Sequence, residues 1–70
     1  MRLTRLKVLL LQSPLRQFEI AGRTGIHPTR LSEYANNVRP MSARDLKRLQ
    51  QFFGVGPEDL IGVIDVEIRR

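Results

Sequence analysis

Seventy residues suffice for one small domain, and a chain this short buries only a modest share of its surface. With no cysteine and one histidine, His27, the sequence excludes disulfides, thiolate metal sites and His-rich ligand clusters, and no apolar run approaches the about 18 residues that span a bilayer. The net charge of +5 is uneven: residues 1–56 carry ten basic and three acidic groups, residues 57–70 two and four, so a polyanion suits the body, with plain solubility as the competing explanation.

In chain order, the spacing of Leu3, Leu6, Leu9 and Leu10 predicts a first helix over 3–12, with Val8 and Leu11 widening its apolar stripe. Thr4 can cap it, or the helix begins earlier. The opening MRLTRLKVLLLQSP has the positive start and apolar run of a leader. Lys7 interrupts that run and no small-residue cleavage site follows, so it reads as a folded helix. Pro14 breaks the helix and suits the first turn of the next, with Ser13 as its cap. That second helix starts between Pro14 and Gln17, carries Phe18, Ile20 and Ala21, and ends near Gly22 or Arg23, where Gly22 favours fraying.

Thr24-Gly25-Ile26 forms a turn, and Gly25 sits where the chain must reverse through a left-handed conformation. A third helix runs from about Pro28 to Asn36, with His27 in the cap position. It ends at Asn36-Asn37, since asparagine tolerates the left-handed region. Two short helices joined by three or four residues with a glycine between them make a helix-turn-helix. Val38–Met41 is a loop. Ser42 caps a fourth helix with Asp45 in its first turn, a core stripe of Leu46, Leu49, Phe52 and Phe53, and Gly54 as its stop. Pro57–Ile61 reads as a short fifth helix. Val63–Ile68 alternates, with Ile64, Val66 and Ile68 on one face, which is a strand pattern. A lone strand needs a partner: a second copy of itself, another protein, or something at the N-terminus. Self-pairing in a dimer is preferred.

QFEIA, then GIHPTRLSEYANN, then VRPMSARDLKRLQQFFGVGPEDLIG resemble the Cro/C1-type helix-turn-helix family of prokaryotic and phage transcriptional regulators, including its antitoxin branch. The resemblance covers about residues 3–62. It rests on Gln17, Glu19, Ile20, Ala21, Gly25, Ile26, Leu31, Ser32, Pro40, Ser42, Leu46, Leu49 and Gly54. Thr24 departs from it, standing where an apolar residue is usual, and Asn37 replaces a glycine. Many members pair an arginine in the first helix with a glutamate late in the third. Leu10 and Ala35 occupy those places here, consistent with an intact core repacked with apolar groups.

The resemblance implies an all-α, compact five-helix lambda-repressor-like domain over 1–62; outside it, the alternating pattern adds a C-terminal β-strand extension over 63–70, read as the dimerisation element. It implies a DNA-binding regulator, a repressor by preference, acting in the cytoplasm as a homodimer on a palindromic operator. On a helical wheel Leu31, Tyr34 and Ala35 face inward, while Thr29, Glu33 and Asn36 point outward, flanked by Arg30 and Ser32. That row suits the major groove, where base pairs present distinct donors and acceptors. Thr29 suits a base edge or a thymine methyl, and Arg30 a guanine or a phosphate. Glu33 either accepts from cytosine N4 or orients Arg30, and Pro28 offers apolar contact only. By the same resemblance Gln17, Asn36 and Arg39 contact phosphates. Ile64, Val66 and Ile68 are the dimer contacts. The competing function is an antitoxin or adaptor whose strand docks a protein partner, such as a toxin or the transcription machinery. An enzyme is disfavoured, since no nucleophile–base pair, metal cluster or phosphate-cradling glycine loop is present. No cofactor is implied.

Overall fold

Thr4 decides how the chain begins. Its backbone is extended and its hydroxyl accepts from the Lys7 amide, so the first helix starts only at Arg5. The computed structural model describes residues 2–65. They form a strand β1 (Arg2–Thr4), helices α1 (Arg5–Gln12), α2 (Gln17–Thr24), α3 (Pro28–Ala35) and α4 (Ala43–Phe53), a 3-10 turn at Pro57–Asp59, and a strand β2 (Val63–Asp65). The expected first turn of a helix at Leu3 is therefore strand. Its spacing to Leu6 matched a helix, but the residues before the cap are extended.

Of the three partners open to the C-terminal strand, the structure shows the one at the N-terminus, not the preferred second copy. β1 and β2 run antiparallel, with Arg2 opposite Asp65, Leu3 opposite Ile64 and Thr4 opposite Val63. The Arg5 amide, donating to the Gly62 carbonyl at 3.0 Å, extends the lacing by one bond. Ile64 is half-buried in this two-stranded sheet. Val66 and Ile68, the other two expected dimer contacts, lie outside the described residues.

Three further expectations change. Ser13 does not cap the second helix; its hydroxyl accepts from the Leu15 amide and so shapes the break after α1. Arg16 is the cap residue of α2, and the Glu19 carboxylate reaches back to the Arg16 amide at 3.3 Å. α2 then runs through Gly22 to Thr24 and stops at Gly25, whose φ of 75° is left-handed. The fifth helix is a single 3-10 turn, so the structure has four helices where five were expected. The five residues between Gly56 and Ile61's successor, Gly62, are too few to propagate an α-helix. They still place Leu60 in the core, only 2% exposed.

The core collects Leu6, Ile20, Ile26, Leu31, Leu49 and Leu60, all fully buried, with Leu10, Ala21, Tyr34 and Ala35 around them. Leu10 and Ala35 both lie in this apolar cluster, 7% and 3% exposed. Leu46, Phe52 and Phe53 pack against this cluster, the two rings meeting edge-on with centroids 5.0 Å apart. Leu11 does not join the stripe, and Phe18 also points outward. Asn37 takes the left-handed conformation at φ 57°, and the Val38 amide closes on the Glu33 carbonyl, which ends α3 as a glycine would.

Thr4 has a second task. Its buried hydroxyl donates to the Ala35 carbonyl at 2.6 Å, tying the β1–α1 junction to the end of α3. Thr4→Val keeps the shape and leaves that carbonyl and the Lys7 amide unserved. Unfolding in urea should show a loss of about 1–3 kcal/mol with an unchanged slope. A midpoint equal to the wild type would mean that the hydroxyl does not hold α3.

Candidate nucleic-acid interface

The surface of interest is the outer face of α3, and its residues stand there because the opposite face is committed to the core. Leu31, Tyr34 and Ala35 are buried. A helix of eight residues turns about 100° per residue, so this commitment leaves Pro28, Thr29 and Asn36 exposed, with Arg30, Ser32 and Glu33 half-buried at the rim. The helix start is defined by Pro28 in its first position and by the His27 imidazole, whose Nδ1 accepts from the Thr29 amide at 3.2 Å. Behind it, the Gly25 turn joins α2 to α3, and the side chain of Ile26, 1% exposed, plugs the joint. The Thr24 hydroxyl folds back onto the carbonyls of Ile20 and Ala21, at 2.8 and 3.2 Å, so its polar group is satisfied within its own helix.

The centre of the polar network is Asp45, which the sequence placed simply in a first helical turn. Its residue is 3% exposed. The Tyr34 hydroxyl donates to Oδ2 at 2.6 Å, and Nε of Arg30 lies 2.9 Å from the same oxygen. That Nε is buried and its N–H is not aimed at an acceptor, so the Arg30 contact is a close ion pair rather than an aligned hydrogen bond. Nη1 of Arg48 stands 3.9 Å from Oδ1 and donates to the Gly25 carbonyl at 3.2 Å. Asp45 is also the third residue of α4, where unpaired amides and the helix dipole favour a negative charge. A buried carboxylate is costly without such partners.

Glu33 pairs with Arg39, Oε2 to Nε at 3.5 Å, and not with Arg30 as one expectation had it. The reason is that Asp45 already holds Arg30. Asn36 donates to the Ser32 hydroxyl at 3.4 Å along the exposed face. Gln17 is the first residue of α2 and half-buried, and Arg39 is exposed in the loop after α3. The structure therefore gathers Pro28, Thr29, Arg30, Ser32, Glu33 and Asn36 on one short helix, with Arg39 tethered beside it. Sequence reasoning missed the partnership of Tyr34, Asp45 and Arg48. One signal for it was present: an inward-facing tyrosine brings a hydroxyl that needs a partner. Among the described residues no cluster of His, Cys, Asp or Glu is placed to hold a metal ion, and no helix is long and apolar enough to cross a membrane.

Residues 5–65 match the family profile of the Cro/C1-type HTH DNA-binding domain. No curated protein and no solved structure matches the chain significantly.

Tyr34→Phe removes one bond to a buried charge and little volume. Stability should fall by about 1.5–3 kcal/mol in urea or thermal unfolding. An unchanged midpoint would show that Asp45 does not depend on the tyrosine hydroxyl.

Proposed function

Because the chain belongs to the Cro/C1-type helix-turn-helix DNA-binding family, we propose that it is a sequence-specific transcriptional repressor that inserts α3 into the major groove as a homodimer. The observation that carries this reading is the division of α3: three inward residues in the core and a polar row on the face left over. Base edges in the major groove offer the donors and acceptors that Thr29, Arg30, Ser32 and Glu33 can meet. Gln17, Asn36 and Arg39 take the positioning role on phosphates, and the excess of basic groups supplies the sequence-independent attraction.

One α3 reads few base pairs. A two-fold dimer sets two of them about 34 Å apart, one turn of DNA, on a palindrome. The two-stranded sheet supports this arrangement, because β2 is paired on one side only with β1 and its other edge has no strand among the described residues. A two-fold axis at that edge makes the two β2 strands antiparallel and joins two sheets into one of four strands. Ile64, Val66 and Ile68 are the side chains of this contact in our reading, with the exposed Ile61 and Val63 nearby in sequence.

Selection from a random duplex pool tests the base reading. The wild type should enrich a palindrome, and Thr29→Ala and Arg30→Ala should each relax preference at particular positions, by about 1–3 kcal/mol where a two-pronged contact is lost. Salt-sensitive binding without enrichment would leave charge as the whole of the interaction. Truncation after Asp65 tests the dimer while keeping every β1–β2 pair. Sedimentation equilibrium should then find a monomer with native circular dichroism and weaker binding to the two-site duplex. Full dimerisation of the truncated chain would remove Val66 and Ile68 from the contact.

A further inference from the structure

Arg30 is the cation on α3 best placed to meet DNA, yet its Nε is shielded from solvent against a carboxylate that belongs to another helix. The side chain as a whole remains 41% exposed, whereas that of Asp45 is 4% exposed. A guanidinium can present two different pairs of donors: Nε with one terminal nitrogen, side-on, or the two terminal nitrogens, end-on. Burial of Nε removes the first option. The geometry points to Asp45 as a positioning residue of the DNA interface, holding Arg30 so that only its two terminal amino groups are offered end-on to a pair of adjacent acceptors on the duplex. This rests on the reading of α3 as the DNA-facing helix.

The constraint is stiff because Asp45 cannot easily move. The Tyr34 hydroxyl fixes Oδ2, Arg48 lies beside Oδ1, and the Asp45 amide donates to the Ser42 hydroxyl. Releasing Arg30 would leave a buried carboxylate short of a cation. An arginine fastened at one end loses little further freedom when its other end meets an acceptor pair, which is how preorganisation raises affinity. The acceptor pair is either O6 and N7 of a guanine or two phosphate oxygens, which are chemically alike for this donor set.

The test compares the wild type, Arg30→Ala, Asp45→Asn and the double variant, by selection from the random pool and by titration of the selected duplex at two salt concentrations. Asp45→Asn keeps the shape and an oxygen for Tyr34 but removes the charge. It should weaken binding to the selected duplex by at least about fivefold, and the double variant should be no weaker than Arg30→Ala. Loss of preference at one base pair identifies a guanine; a uniform loss with a salt slope lower by about 1 identifies a phosphate, and either supports the proposal. Asp45→Asn with wild-type affinity and preference, or with a loss that adds to that of Arg30→Ala, overturns it and leaves Asp45 a purely structural residue. A wild type that enriches nothing overturns the DNA reading itself and this inference with it. Should Asp45→Asn fail to fold, nitrogen-resolved NMR of the free wild type decides. A distinct, slowly exchanging Arg30 Nε–H supports the anchor, and one that averages with the exposed arginines overturns it.

Discussion

A single buried carboxylate constrains the angle at which the helices meet. Asp45 stands on α4, but its partners come from elsewhere: Tyr34 and Arg30 from α3, and through Arg48 the Gly25 carbonyl in the turn between α2 and α3. Apolar packing of Ile20, Ile26, Leu31 and Leu49 supplies the greater part of the attraction, because each is fully removed from water. That attraction is not directional. The carboxylate is, since it tolerates burial only where a hydroxyl and a cation both reach it. Displacing α3 from the start of α4 would part that charge from its tyrosine and its nearest arginine.

The far end of α3 is held by a different device. Thr4 closes α1 with one side of its hydroxyl and grips the Ala35 carbonyl with the other, while the β1–β2 ladder and the Arg5–Gly62 bond fix Thr4 itself. An isolated helix of eight residues does not persist in water. Held by Asp45 through Arg30 and Tyr34, and by Thr4 at its C-terminus, α3 becomes a rigid platform. The short sheet is thus part of the machinery that sets the helix in place.

Much of this arrangement was legible in one dimension, and the parts that were not share a cause. Helix starts and stops written in local chemistry, at Ser42, His27, Asn37 and Gly54, fall where the sequence put them, and so does the left-handed reversal at Gly25, although α2 runs on to Thr24 instead of ending near Gly22 or Arg23. The inward face of α3 is likewise where the sequence put it. β1 was hidden because three residues are too few to display a strand period, and Leu3 happens to keep helical spacing with Leu6. The need of β2 for a partner was visible, and the N-terminus was among the options; which option wins depends on where the chain ends meet in space. Asp45 was hidden for the same reason. Its place three residues after Ser42 has a sufficient local explanation, and nothing nearby in the sequence announces a tyrosine eleven residues earlier.

The two ion pairs of α3 show why local sequence ranks such residues poorly. Arg30 and Arg39 each have an acidic partner, and by charge alone they are equivalent. Their surroundings separate them. The Arg39–Glu33 pair is loose at 3.5 Å, with side chains 54% and 29% exposed, so water screens it and either member can exchange its partner at little cost. The Arg30–Asp45 pair is closer, and its acid is out of water, so parting it would leave a buried carboxylate with only the more distant Arg48 as its cation. One cation on this face is therefore fixed and the other free to adapt, a difference that arises from the depth of the acid and not from the arginine.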